Sequence, residues 1–274
     1  METKYQENID LISPEIIDRK WITLKTDSLS NYPDGINQIY KHDIHGIIIK
    51  EAFTPEEILK ISSKIKHRKD NRKREIYGET LGTVLVANKG GDKTEYFRNA
   101  NILREDLNNI FETSFETTIQ TICSQISGGR IVEVPQEYNQ TYTSATIRFV
   151  HPNQGGMPLH KGNQFIDDPA YNHLKQIAKM VNGLSYFIVI SEPEEGGELL
   201  IYYPSQEQMT MARQDLDFDK GYKKYIKLAA GDMLLFQGGN IWHQVCDVQG
   251  QKERITIGGF MAISKCERKI YYWS

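Results

Sequence analysis

The sequence predicts a mainly β domain, a barrel or jelly roll with helical support. From Ala145 onward the chain reads as short apolar strands, ATIRFV, LSYFIVI, ELLIYY, YIKLAA, GDMLLF and RITIGGFMAIS, each bounded by Gly, Pro or polar turns. Helical periodicity lies mostly ahead of them, and 274 residues is the upper end of what one β domain uses. The expectation is therefore one domain over 1–274, with 1–140 mainly helical support and 141–274 holding most of the β core. Two domains remain the alternative.

In chain order, His45 to Phe53 (HGIIIKEAF) has the β-branched density of a buried strand. It runs into Thr54-Pro55-Glu56-Glu57, where Thr54 can cap, Pro55 costs nothing at the first helical position and Glu57 completes a capping box. A helix to about His67 follows. Leu107, Ile110, Phe111, Phe115, Ile119 and Ile122 recur at three- and four-residue steps, which predicts a second helix from Arg104 to about Ile126, ended by Gly128-Gly129. A third helix interrupts the strands, with Asp168 as cap, Pro169 at its first position and Leu174, Ile177, Ala178 and Val181 on its apolar face.

Charge and composition narrow the function classes. Net charge is −3, which gives no electrostatic reason to expect a nucleic acid or an anionic membrane. Three cysteines without CxxC spacing suggest neither a disulfide framework nor a zinc knuckle. The opening METKYQENIDLISPE lacks the basic start and apolar stretch of a secretory signal, and no run approaches the roughly 20 apolar residues of a membrane span. A cytoplasmic protein with a small molecule in a pocket is the expectation.

Of seven histidines, His160 and His243 stand out. His160 follows the strand TIRFV and a Gly-Gly turn, and His243 follows GDMLLFQGGNIW, a strand and turn that would aim it into the barrel mouth. For either alone, a surface or hydrogen-bonded role is the commoner reading. The string around them changes this: Gly231-Asp232-Met233-Leu234-Leu235-Phe236, then His243, then Arg254-Ile255-Thr256.

Here the chain resembles the Fe(II)/2-oxoglutarate-dependent oxygenase superfamily, whose double-stranded β-helix carries a GD-x-L-x-F strand, a distal metal histidine and an arginine about ten residues later. The resemblance implies a jelly-roll, cupin-like core, with His160 and His243 as metal ligands. Arg254 would pair with the far carboxylate of 2-oxoglutarate and Thr256 would add a hydroxyl. A surface salt bridge is the alternative for Arg254. The superfamily's usual His-x-Asp/Glu reads His160-Lys161-Gly162 here, and Asp167 and Asp168 lie too far along the chain to substitute while His160 stays in place. A vacant position at Gly162 would admit chloride, one negative charge replacing another. The competing reading is a turn glycine with positive φ in a protein that has lost its metal.

Longer strings, TYTSATIR, HKGNQF, EEGGELLIYY, TIGGFMAISK and the terminal KIYYWS, are similar to the carrier-independent aliphatic halogenases of hapalindole and welwitindolinone alkaloid biosynthesis. The likeness is good over the C-terminal half and weak over the N-terminal half. It implies Fe(II), 2-oxoglutarate, O2 and chloride as cofactors, and chlorination of an unactivated aliphatic C–H by ferryl hydrogen abstraction and chlorine rebound. The substrate would be free-standing and largely apolar, a natural-product scaffold with no carrier protein. Ser185 falls where that subgroup places a serine near the metal, with a core or strand-surface serine as the alternative. Asn163 and Tyr142 are candidates to line the mouth, against the commoner roles of turn asparagine and core tyrosine. Tyr77 to Phe97 and Ser205 to Tyr222 depart from the subgroup, so substrate identity does not transfer. The second segment reads as a solvated loop or a lid. Two other functions stay open: a hydroxylase of the same fold, and a metal-free binding protein.

Overall fold

A computed structural model describes residues 14–68, 71–75, 77–208 and 211–274, so the opening thirteen residues read above lie outside it. The helices are α1 (Pro14–Arg19), α2 (Gly35–Tyr40), α3 (Pro55–Lys66), α4 (Thr94–Ile110), α5 (Phe115–Gln125) and α6 (Asn172–Ile177). The front half adds strands β1 (Trp21–Lys25), β2 (Gly46–Lys50), β3 (Lys73–Glu75), β4 (Gly78–Leu81) and β5 (Ile131–Glu133). Next come β6 (Gln136–Glu137), β7 (Gln140–Thr141), β8 (Thr146–Val150), β9 (Leu184–Ser191), β10 (Glu195–Gly196) and β11 (Leu199–Tyr203). The last are β12 (Tyr222–Ile226), β13 (Met233–Phe236), β14 (Trp242–Val245), β15 (Val248–Gln249), β16 (Arg254–Ile263) and β17 (Lys269–Trp273).

A large sheet runs β1-β2-β13-β9-β16-β8-β4-β3, with β17 and β5 added beside β16, and a smaller one runs β12-β11-β14. The two sheets enclose Val189, Leu199, Ile201, Ile226, Leu228, Leu234 and Phe236 as the barrel interior. Strand alternation sends the other face of the large sheet, including Ile47, Ile49, Ile188, Ile190 and Ile257, into a second core shared with α3, α4 and α5. This is the jelly-roll architecture expected, with helices outside. The front half supplies strands as well as helices. Among the described residues no helix is long and apolar enough to cross a membrane.

Local chemistry explains the elements that place the site. Thr54 and Glu57 form the anticipated capping box at the start of α3, Glu57 N–H to Thr54 Oγ1 at 3.3 Å and Thr54 N–H to Glu57 Oε2 at 2.7 Å. Buried Asp232 accepts from Ala229 N–H at 3.0 Å and Glu51 N–H at 3.2 Å and pairs with Lys50, which locks the turn into β13 to the end of β2. Gly231 beside it has φ +95°, and a Cβ there would lie 2.3 Å from the Phe53 carbonyl oxygen.

Three expectations need correction. The helix expected from Arg104 to Ile126 is two: α4 starts at Thr94, the chain turns extended at Phe111, and α5 begins after Ser114. The break lets Phe111 and Phe115 pack at a 5.2 Å centroid distance, with Phe111 also 5.2 Å from Phe53. The helix expected from Asp168 is a capped 3-10 turn followed by the six residues of α6. It stops because Ala178 turns extended to bridge Ser264, which leaves Val181 73% exposed. The strand read as YIKLAA begins earlier, at Tyr222, and ends at Ile226, where the chain leaves β11.

Tyr203 ties the two sheets at their edge: Trp21 Nε1–H donates to its hydroxyl at 3.0 Å, and that hydroxyl lies 2.8 Å from His45 Nδ1. Burial, then Lys20 and His42, push His45 down from 6.5 to about 3. The unfolded chain takes a proton near pH 6.5 that the folded protein refuses until about pH 3, so stability is full above about 6.5 and falls as pH drops through that window. His45→Gln should flatten this acid loss by up to about 1.4 kcal/mol per pH unit. Urea unfolding at stepped pH measures it, and equal slopes would remove His45 as the source.

Candidate metal centre and cosubstrate site

His243 lies on β14 opposite Ile201 of β11, so it shares the inward face of the small sheet. His160 sits outside the regular strands and joins that sheet through an isolated antiparallel bridge to His243. The two residues exchange both backbone bonds, His160 N–H to His243 O at 2.9 Å and the reverse at 3.0 Å. Their ring centroids are 4.2 Å apart.

Each Nδ1 lies 2.8 Å from the carbonyl two residues earlier, Pro158 for His160 and Ile241 for His243. A carbonyl only accepts, so each Nδ1 carries the proton and the neutral ring's lone pair sits on Nε2. Burial, then the neighbouring His160, hold His243 down at about 3, against a small upward pull from the Ile241 carbonyl. The ring is therefore neutral at physiological pH, which is the state a metal requires. Phe236 packs edge-on against it at 5.0 Å.

Among the described residues no third His, Cys, Asp or Glu gathers with these two into a metal-holding cluster. Asp168 is used as a cap, accepting from Ala170 N–H at 2.8 Å and Gly90 N–H at 3.3 Å, and Asp167 is exposed. Gly162 donates its N–H to Gly238 O at 2.8 Å and does not have a positive φ. The turn-glycine reading thus loses its basis, since the backbone there suits any residue. A Cβ at 162 would lie 3.2 Å from Gly238 O, a tight but adjustable contact. Ser185 stands on the other side of Gly238, where an added Cβ would fall 2.1 Å from the serine Oγ.

Arg254 opens β16 and is 6% exposed. Its Nη1 reaches the Oγ1 of Thr256 at 3.5 Å, and its guanidinium carbon lies 5.5 Å from the Phe187 ring centroid. Among the described residues no carboxylate is within ion-pair distance, so the surface salt bridge is not formed. Burial, then repulsion from Arg148, lower it to about 10. A buried cation without a counter-ion is costly, and an incoming carboxylate meets that need. Two adjacent imidazoles, that of His243 held neutral, and a buried guanidinium without an ion-pair partner therefore fit Fe(II) and an anionic cosubstrate.

The remaining candidates separate. Asn163 donates its amide to Val181 O and Asn240 Oδ1, both at 2.7 Å, and so fastens the loop after Gly162. It also lines a small recess with Gly162, Phe165, Ile166, Met180 and Phe260. Tyr142 is not at the mouth: it is wholly buried on the helix side, edge-on to Tyr96 and Phe97, with its hydroxyl donating to Glu137 at 2.5 Å. The segment 205–222 is pinned where described, since the Tyr202 hydroxyl bonds Gln208 Oε1 at 3.0 Å and Asp217 O at 2.9 Å. Lys161 over the Trp242 ring, 4.8 Å from its centroid, was not anticipated. Strand alternation could have shown both flanking the histidines.

The family model of the carrier-protein-independent halogenase WelO5 matches residues 18–274. The chain belongs to that family. It is thus an Fe(II)/2-oxoglutarate-dependent oxidoreductase, and the family's cofactors are Fe(II), 2-oxoglutarate, O2 and chloride. No curated protein matches it in sequence. Among solved structures it resembles an N-substituted L-amino acid dioxygenase from Burkholderia ambifaria AMMD, in complex with alpha-KG, at 15% identity and TM-score 0.53, covering 86% of this chain and 90% of that one. It also resembles the non-heme alpha-ketoglutarate-dependent carbocyclase SnoK from nogalamycin biosynthesis, at 11% identity and TM-score 0.50, over 85% and 87%. At such identities both likenesses show the fold.

Replacing His160 and His243 together by Ala should abolish stoichiometric Fe(II) binding, measured by metal analysis after desalting; retained iron would refute the pair as the metal ligands. Arg254→Ala should raise the 2-oxoglutarate requirement by orders of magnitude, since losing a buried charge partner costs about 2–5 kcal/mol. An unchanged requirement, read from the titration of succinate formation, would count against its role.

Proposed function

We propose that this chain chlorinates an unactivated aliphatic C–H of a free-standing small molecule. The carrying observation is Gly162: a residue two after a metal-site histidine, without the positive φ that would call for glycine, with no carboxylate gathered beside the two imidazoles among the described residues. His160 and His243 hold the metal through Nε2, and Arg254 with Thr256 holds the far carboxylate of the cosubstrate. Gly162 leaves one coordination position to a halide, and Ser185 across Gly238 is the hydroxyl we assign to orient it. Iron with 2-oxoglutarate, O2 and chloride supplies both the hydrogen-abstracting oxidant and the chlorine atom delivered to the substrate carbon. What the protein adds is position: the carbon must lie nearer the halide than the hydroxylating oxygen for chlorine to win.

The apolar recess beside Gly162, walled by Phe165, Ile166, Tyr171, Met180, Phe260 and Trp273, supports a largely apolar scaffold as substrate. Asn163 fixes that wall. The family name supports a substrate free of a carrier protein.

With its substrate, the wild-type enzyme should form chlorinated product only when chloride is supplied. Chloride should also shift the absorption of the anaerobic Fe(II)·2-oxoglutarate complex. Gly162→Asp should end both effects by placing a carboxylate where the halide binds, and the 3.2 Å contact to Gly238 O asks only a small local adjustment. Equal hydroxylation with and without chloride, with no halide effect at the metal, would favour the hydroxylase reading instead.

A further inference from the structure

Arg148 lies on β8 directly opposite Thr256 of β16 on one side and Thr80 of β4 on the other. Opposed residues share a face, and residues two apart along a strand do too, so Arg148, Thr256 and Arg254 line one surface. Arg254 leans back along its strand to Thr256, the position Arg148 opposes. The two arginines thus share one surface around Thr256, Arg254 in contact with its hydroxyl and Arg148 on the strand beside it. The repulsion felt by Arg254 from Arg148 agrees with this.

Among the described residues neither arginine has a carboxylate within ion-pair distance. Arg148 feels only the field of Glu75 on β3, and Arg254 that of Glu198. The chain does supply carboxylates where a buried arginine is structural: Arg72, on the opposite face over the Phe149 ring, meets Glu253 at 3.0 Å and Glu79 at 3.5 Å. Two like charges on one buried surface without a counter-ion are destabilising unless an anion joins them.

We infer that Arg148 is a second anchor for the far carboxylate of the cosubstrate, which the two guanidinium groups and Thr256 grip together. This rests on the cosubstrate reading of Arg254. It makes the site selective for a dicarboxylic 2-oxo acid, because a monocarboxylic one leaves the two cations without a counter-ion. Arg148 is here a positioning residue with a direct contact to cosubstrate and none to the reacting carbon.

The test is anaerobic titration of the Fe(II) enzyme with 2-oxoglutarate and with 2-oxobutyrate, which lacks the far carboxylate, followed by charge-transfer absorption. Arg148→Gln should weaken 2-oxoglutarate at least about tenfold and leave 2-oxobutyrate within about twofold. Arg148→Lys, which keeps the charge but not the planar fork, should fall between and serves if the glutamine variant does not fold. Arg254→Gln is the control. If it leaves 2-oxoglutarate binding unchanged, the cosubstrate reading itself fails. If it behaves as expected while Arg148→Gln weakens both oxo acids equally, or neither, the second anchor is overturned.

Discussion

The paired backbone hydrogen bonds between His160 and His243 are the constraint on which the rest of the site depends. His160 belongs to no regular strand, and this bridge joins it to the small sheet. The bridge sets the two imidazoles side by side, and the same internal device then orients each: an Nδ1–H bond to the carbonyl two residues back. Two protonated rings at a 4.2 Å centroid separation would repel, and His243 is already held neutral by burial. The fold thus sets two oriented imidazoles side by side, the arrangement that the proposed metal site requires.

Around that pair the charges are arranged unusually. Arg148 and Arg254 share one surface, and no acidic side chain gathers with the two histidines among the described residues. Anions must therefore enter with the ligands. In the proposed reading, the apolar recess beside Gly162 takes the substrate's carbon skeleton and the cationic surface around Thr256 takes the cosubstrate's carboxylate. Both draw on β16, which carries Arg254 at its start and Phe260 further along.

Much of this was readable in the residues. The short strands announced themselves by β-branched density and turn boundaries, and the GD turn into β13 with the downstream histidine and arginine pointed to the candidate metal side. The Thr54 capping box is local chemistry and appeared as expected. What could not be read depends on tertiary choice. The apolar steps through Phe111 and Phe115 continue unbroken in sequence, yet the break at 111–114 lets both rings enter the core. Tyr142 could be read from sequence either as a mouth residue or as a core tyrosine, and its packing on Tyr96 and Phe97 with the Glu137 bond makes it the latter. That Gly162 needs no positive φ is a backbone fact, invisible to composition.

The indole of Trp242 has a consequence of a different kind. It adjoins His243 in sequence, and the ammonium above its ring belongs to Lys161, which adjoins His160. Trp21 sits at the sheet edge with Tyr203, and Trp273 lies 6.3 Å from the Phe260 ring. Of the three tryptophans, Trp242 is thus the one covalently next to the metal pair and covered by a residue next to its partner. If the histidine pair holds an open-shell ion as proposed, quenching of Trp242 emission on adding Fe(II) would report its occupancy without dye or substrate.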